Sequence, residues 1–159
     1  MKRYIVAVLL TLVFGINVST AAEKSYIQTI EESQIPGTYC MGFALISSTG
    51  AKAAWDGAPF EFKIITRDQY ADIVREQIRK TQSAAMPNDG IYLMVEDTTP
   101  AHDVEVTKAF QTYGWNWLKE HHDSIPMDKI YKDKPDWQAV VNTLSAECEE
   151  LGLKQQFIK

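Results

Sequence analysis

The sequence contains few of the residues on which most catalytic and metal sites depend. Its 159 residues include only two cysteines and three histidines, and no segment is rich in lysine and arginine. The formal net charge is −5, and nucleic-acid binding depends on basic groups that neutralise phosphates. Two thiols alone cannot complete a four-ligand zinc site. We therefore expect no nucleic-acid partner, no metal site and no cofactor.

Recognisable catalytic motifs are also missing. No Gly-x-Ser-x-Gly segment is present for a nucleophilic serine, and no glycine-rich phosphate loop precedes a lysine. The histidines lie near carboxylates in two groups, His102 with Glu105 and His121 with Asp123. Both groups flank a predicted helix, whose dipole by itself favours acidic groups at its start and cations at its end. We predict that the protein is not an enzyme, and a metal-dependent enzyme using these four residues is the less favoured alternative.

The start of the chain has the three parts of a secretory signal peptide. Residues 1–3 are basic, residues 4–14 form an apolar run, and small residues precede the predicted cleavage site after Ala21. Cleavage after Ala22 is the close alternative. The apolar run is shorter than the ~20 residues that a permanent membrane helix needs. The sequence therefore predicts a signal peptide over residues 1–21 and a single exported, periplasmic domain over residues 22–159, with no stable membrane insertion after cleavage.

Export gives the two cysteines a structural role. Cys40 and Cys148 are the only cysteines, and an even pair in an oxidising compartment is typical of a disulfide. The bridge would close a loop of more than 100 residues, to which the chain-entropy model assigns about 4–5 kcal/mol of stabilisation. We therefore predict a disulfide that joins the second helix to the last.

Apolar residues at helical spacing predict five helices. Ser25 and Thr66 begin capping boxes, and Asp136 can cap the last helix. An alanine-rich end favours the second helix, although Gly42 and Gly50 count against it. The predicted helices cover about residues 25–34, 39–55, 67–82, 101–120 and 136–150. The leading fold is a mainly α, small orthogonal domain of four to five helices with one disulfide.

Three short apolar segments leave a second architecture open. Residues 60–65 alternate apolar and charged side chains, which is the pattern of a half-buried strand. Residues 39–46 and 91–96 are too short for periodicity to distinguish a buried strand from a helix. The alternative fold is therefore α+β, with these three segments in a small antiparallel sheet.

A cluster of aromatic residues is the best lead to a binding surface. Tyr113, Trp115 and Trp117 place three large rings within five residues. On a helix Tyr113 and Trp117 share a face while Trp115 points away, so one face is partly exposed or meets another molecule. Tyrosine and tryptophan are enriched among the residues that dominate binding energy. We predict Tyr113, Trp115 and Asn116 as partner-binding residues, with completion of a small core by all three rings as the alternative.

The segment YCMGFA at residues 39–44 resembles the Cys-x-Gly-aromatic start of the first helix in small exported immunity proteins. Those proteins protect bacteria from type VI secretion effectors that cleave the cell wall. The similarity extends to an exported, mostly helical chain with a cysteine near its end. It implies a helical homodimer that plugs an amidase active site and has no catalysis of its own.

Together these patterns predict an exported periplasmic protein that binds another protein. An immunity or inhibitor protein that blocks a secreted cell-wall hydrolase is the most specific version of this prediction. A folding or assembly factor of the cell envelope is the alternative. It would bind many partners weakly through a broad apolar patch, whereas an inhibitor binds one partner tightly.

Overall fold

The computed structural model describes residues 23–157, and the predicted signal peptide lies outside them. Within that range the chain is mainly helical, which confirms the predicted fold class, and none of the described helices is long and apolar enough to cross a membrane. In chain order the elements are α1 (Tyr26–Glu32), α2 (Thr38–Trp55), β1 (Phe62–Ile65), α3 (Arg67–Thr81), β2 (Ile91–Met94), α4 (Ala101–His121), a 3₁₀ turn (His122–Ser124), α5 (Trp137–Leu151) and α6 (Leu153–Phe157).

The five predicted helices are confirmed, and their starts follow local capping chemistry. The Ser25 hydroxyl accepts a hydrogen bond from the Gln28 backbone N–H at 3.0 Å, and Thr66 begins a complete capping box. The Asp136 side chain accepts from the backbone N–H of Ala139 at 3.0 Å. Each of these bonds satisfies a donor that a helix start leaves unpaired. Helix α6 is an addition to the prediction.

Helices α2 and α4 pack with their backbones in direct contact. A Cβ atom built on Gly50 would lie 1.9 Å from the carbonyl oxygen of Gln111, and one built on Gly114 would lie 1.7 Å from that of Ser47. Only glycine allows so close an approach. This packing explains why position 50 is a glycine, although a glycine inside the segment is unfavourable for the predicted helix.

The core lies where α4 and α5 pack against α2. Phe43 of α2 and Phe110 of α4 are fully buried, and their rings meet edge to face with centroids 4.9 Å apart. The predicted disulfide is confirmed, because Cys40 of α2 is bonded to Cys148 of α5. The disulfide holds α5 against α2, and α2 also packs on α4.

The small sheet corrects the alternative fold. Strands β1 and β2 fall within the predicted segments 60–65 and 91–96, but they are parallel, with Phe62 opposite Ile91. The antiparallel prediction is wrong because α3 connects the strands and returns the chain to the same end of the sheet. The prediction of a third strand at 39–46 is also wrong, since these residues belong to α2.

Candidate functional site

The second half of α4 separates the predicted partner-binding residues into two groups. Tyr113 and Asn116 line one groove, whereas Trp115 lies outside it. Gly114, between them, is buried against α2. The helix therefore brings Tyr113 and Asn116 together and directs Trp115 elsewhere. The helical spacing predicted the separation of Trp115 from Tyr113, but not the grouping of Tyr113 with Asn116.

The groove is formed by α4 and α5 and has a volume of about 400 Å³. We call it the α4–α5 groove. Its α4 residues recur every three or four positions, so they share one helix face. Two α5 residues four positions apart form the opposite wall. The lining residues are Tyr113, Asn116, Trp117, Glu120, His121, Glu147 and Leu151.

A hydrogen bond and a ring stack order one end of the α4–α5 groove. The Trp117 indole Nε1 donates to Glu147 Oε2 at 2.8 Å, which connects α4 to α5. The His121 ring stacks on Trp117 with centroids 4.6 Å apart. His121 Nδ1 lies 2.8 Å from the Trp117 carbonyl oxygen, and a carbonyl only accepts, so Nδ1 carries a proton. These contacts hold both aromatic rings in a single orientation.

The electrostatic character of the α4–α5 groove is negative. Glu147 is half-buried and Glu120 is exposed. Burial raises the pKa of the Tyr113 hydroxyl, and the carboxylates of Glu147 and Glu120 raise it further. Tyr113 is therefore neutral at physiological pH and can donate or accept a hydrogen bond. The groove offers two carboxylates, a phenol and the exposed Asn116 amide to an incoming group.

The Trp115 ring lies on a different face of α4 from Tyr113 and does not line the groove. Its ring packs on Phe60 with centroids 4.9 Å apart, and Lys119 Nζ lies 4.6 Å from the ring centroid. The indole Nε1 is buried without a hydrogen-bond partner among the described residues. Trp115 therefore packs against Phe60, in the segment that leads into β1, a contact that the sequence did not identify.

The residues of the metal-enzyme alternative do not converge. His102 Nε2 pairs with Glu31 at 2.9 Å, while His121 lies at the other end of α4, about 28 Å away along the helix axis. Glu105 pairs with Lys108, and Asp123 with the adjacent His122. Residues 23–157 contain no group of three side chains that could hold a metal ion. His102, Glu105, His121 and Asp123 therefore do not form one site.

The α5 wall of the groove was not predicted from the sequence. Glu147 and Leu151 stand four residues apart on either side of Cys148, and that spacing places them on one helix face. Their position opposite Tyr113 depends on how α5 packs against the other helices. The predicted disulfide was the sequence feature that indicated where α5 packs.

No family model, curated protein or solved structure matches this chain. Its function must therefore be inferred from its own residues.

Proposed function

We propose that the chain is an exported periplasmic protein that binds another protein through the α4–α5 groove. The observation that carries this proposal is the combination of ordered aromatic rings, an exposed amide and two carboxylates along one helix–helix groove. Tyr113 and Asn116 are the central contact residues. A signal peptide at the start of the chain would place this surface outside the cytoplasm.

The aromatic residues supply contact area at low entropic cost. Tyr113 packs edge to face on Phe43 with centroids 4.9 Å apart, and Trp117 is held by Glu147. Side chains already fixed in the free protein lose little freedom on binding, which is the main advantage of a preorganised surface. Leu151 at the edge is 56 % exposed and offers an apolar contact.

The charge of the groove indicates the chemistry of the partner. Glu120 and Glu147 point to a basic side chain on the partner, because complementary charges guide association and suppress wrong partners. The formal net charge of −5 extends this attraction over the whole molecule. A lysine or arginine between the two carboxylates would also stack on the neighbouring rings.

An immunity or inhibitor protein that blocks a secreted cell-wall hydrolase is the most specific form of the proposal. The resemblance at residues 39–44 supports it, as does a disulfide that braces α2 against α5. Inhibition would be steric: the groove and its rim would occlude the partner's cleft, with no bond made or broken.

The proposal is tested by affinity purification from periplasmic extract supplemented with the products of neighbouring genes. The bait is the protein with its disulfide intact, and Glu120→Lys serves as the groove variant. Glu105→Lys is the matched control, because it reverses the same charge at an exposed position in the first half of the same helix. We expect one stoichiometric partner that the wild type and the control retain and Glu120→Lys loses. Equal retention by all three baits contradicts the proposed groove.

A cell-envelope folding or assembly factor is the second candidate. The loop before α5 supports it, because Ile130 is 82 % exposed and Tyr131 is 62 % exposed. Exposed apolar side chains in one loop suit weak contacts with many unfolded chains. The same purification distinguishes the two functions, since this one gives many substoichiometric partners whose capture is unaffected by Glu120→Lys.

A further inference from the structure

A second cavity lies beside the first half of α4, away from the α4–α5 groove. Its volume is about 310 Å³, at the small end of the range for ligand sites. Asp103, Thr107 and Gln111 follow one another at intervals of four along α4 and form a polar ladder on its wall. We call this space the Asp103 cavity. A ligand of a few heavy atoms fits within this volume.

Asp103 contributes a carboxylate without a counter-charge to this cavity. The residue is 7 % exposed and lies in the first turn of α4, where the helix dipole favours a negative charge. No hydrogen bond or ion pair from another described residue reaches the carboxylate, and the adjacent His102 is paired with Glu31. The Asp103 carboxylate oxygens are not among the buried polar atoms without a partner, so they reach solvent and are open to a cation that enters the cavity.

Gln111 provides a second unsatisfied group in the same cavity. The residue is 6 % exposed, and its Nε2 donates to the Thr49 hydroxyl at 3.1 Å. Its Oε1 is buried and has no hydrogen-bond partner among residues 23–157. Buried polar atoms are nearly always satisfied in folded proteins. The cavity therefore combines a carboxylate and an amide that both lack hydrogen-bond donors.

The remaining walls are apolar. Ile27 of α1, Ile46 of α2, Leu93 of β2 and Val104 of α4 line the space around the polar ladder. Such walls favour a hydrocarbon chain over a strongly hydrated ion. Asp103 also lines a neighbouring depression, together with two further carboxylates, Glu23 and Glu96. Their charge attracts cations and repels anions at this part of the surface.

We infer that the Asp103 cavity binds a small organic cation, a primary ammonium group on a short alkyl chain. The ammonium has three donors and no acceptor, so it can bond the Asp103 carboxylate and provide a counter-charge that no described residue supplies. The alkyl chain lies along the walls formed by Ile27, Ile46 and Val104. This site does not depend on the proposed protein-binding function.

The test is a titration of the ¹⁵N-labelled protein with n-butylammonium, followed by amide chemical shifts. Neutral n-butanol has nearly the same shape, and butyrate reverses the charge. We expect saturable shifts around Val104, Thr107 and Met94 with butylammonium, at least tenfold weaker binding of butanol, and no binding of butyrate. Butanol that binds as tightly as butylammonium would overturn the inference, as would the absence of saturation.

A matched pair of variants tests the role of the carboxylate. Asp103→Asn keeps the shape of the side chain and removes its charge. Asp123→Asn makes the same change at a fully exposed position in the 3₁₀ turn after α4. Asp103→Asn should weaken butylammonium binding at least tenfold, whereas Asp123→Asn should leave it unchanged. Equal binding by Asp103→Asn would refute the site. Since the ligand comparison uses only the wild type, the inference is testable even if Asp103→Asn does not fold.

A final titration identifies the source of the ammonium. The peptide acetyl-Gly-Lys-Gly-amide carries the same group on a longer chain. Tighter binding of this peptide at the same residues would assign the cavity to a lysine side chain of a partner. Weaker binding would assign it to a free amine, and both results support the chemistry of the site.

Discussion

Gly50 of α2 lies directly against the backbone of Gln111 of α4, where an added Cβ atom would stand 1.9 Å from the carbonyl oxygen. Gly114 makes the reciprocal approach to Ser47. This double contact sets the register between the two longest described helices. Because α4 carries both the α4–α5 groove and the Asp103 cavity, the contact positions both sites.

Replacement of Gly114 by alanine should destabilise the protein. The new methyl group would overlap backbone atoms that cannot move aside as a flexible side chain can, and overpacking typically costs about 1–3 kcal/mol. The free energy of unfolding in guanidinium chloride measures the effect. Asn116→Ala is the matched control, since it places alanine at an exposed position two residues along and should change stability by less than about 0.5 kcal/mol. Equal stability of Gly114→Ala and the wild type would mean that the helices are not in backbone contact.

Reduction of the disulfide should lower stability and loosen the α4–α5 groove. The bond between Cys40 and Cys148 closes a loop with a sequence separation of 108, and a loop of this length corresponds to about 4–5 kcal/mol in the chain-entropy model. Glu147, adjacent to Cys148, holds Trp117, so its position depends on the bridge. We expect a lower denaturant midpoint and a changed tryptophan fluorescence spectrum for the double Cys→Ser variant. Coincident unfolding curves would contradict this role.

Stability should fall between pH 10 and pH 12 through the buried Tyr39. Burial, with a smaller effect of Glu31, raises the pKa of Tyr39 from 10.0 to about 12. Above pH 10 the unfolded chain releases this proton while the native state retains it, so the contribution is complete below pH 10 and is lost as the pH rises towards 12. Tyr39→Phe should remove part of this loss, and it also removes a hydroxyl that has no hydrogen-bond partner among the described residues. Identical pH profiles of the two proteins would contradict the assignment.

The local elements could be predicted from the sequence because their determinants are local. The capping residues Ser25, Thr66 and Asp136 act within four positions of themselves, and the helices begin where these residues indicate. The direction of the strands could not be predicted, because it depends on how α3 crosses between β1 and β2. A four-residue strand carries no sequence signal for its partner's direction.

Only the part of the candidate site that depends on helical spacing could be predicted from the sequence. Helical spacing alone places Tyr113 and Asn116 on a face different from that of Trp115. The environment of each face depends on what packs there: Phe60 lies against Trp115, and Glu147 lies beside Trp117. Both contacts join residues far apart in the chain, so no local pattern contained them.

Because Trp115 lies outside the α4–α5 groove, we expect its substitution to affect stability and not partner binding. Trp115→Ala should reduce the free energy of unfolding by about 2 kcal/mol, below the 3–5 kcal/mol typical of fully buried aromatic residues, because the ring is only half-buried. Partner affinity should change by less than threefold, as measured by titration calorimetry on the folded variant. A tenfold or larger loss of affinity would return Trp115 to the binding surface.

Binding through the α4–α5 groove is tested by comparing the partner affinities of the wild type, Glu120→Lys and Glu105→Lys, measured by titration calorimetry at low ionic strength. Both substitutions reverse one exposed charge on α4, but only Glu120 lines the groove. We expect Glu120→Lys to weaken binding by about 2 kcal/mol or more, the size of a hot-spot loss, and Glu105→Lys to stay close to the wild type. Equal affinities for the two variants would contradict binding through the α4–α5 groove.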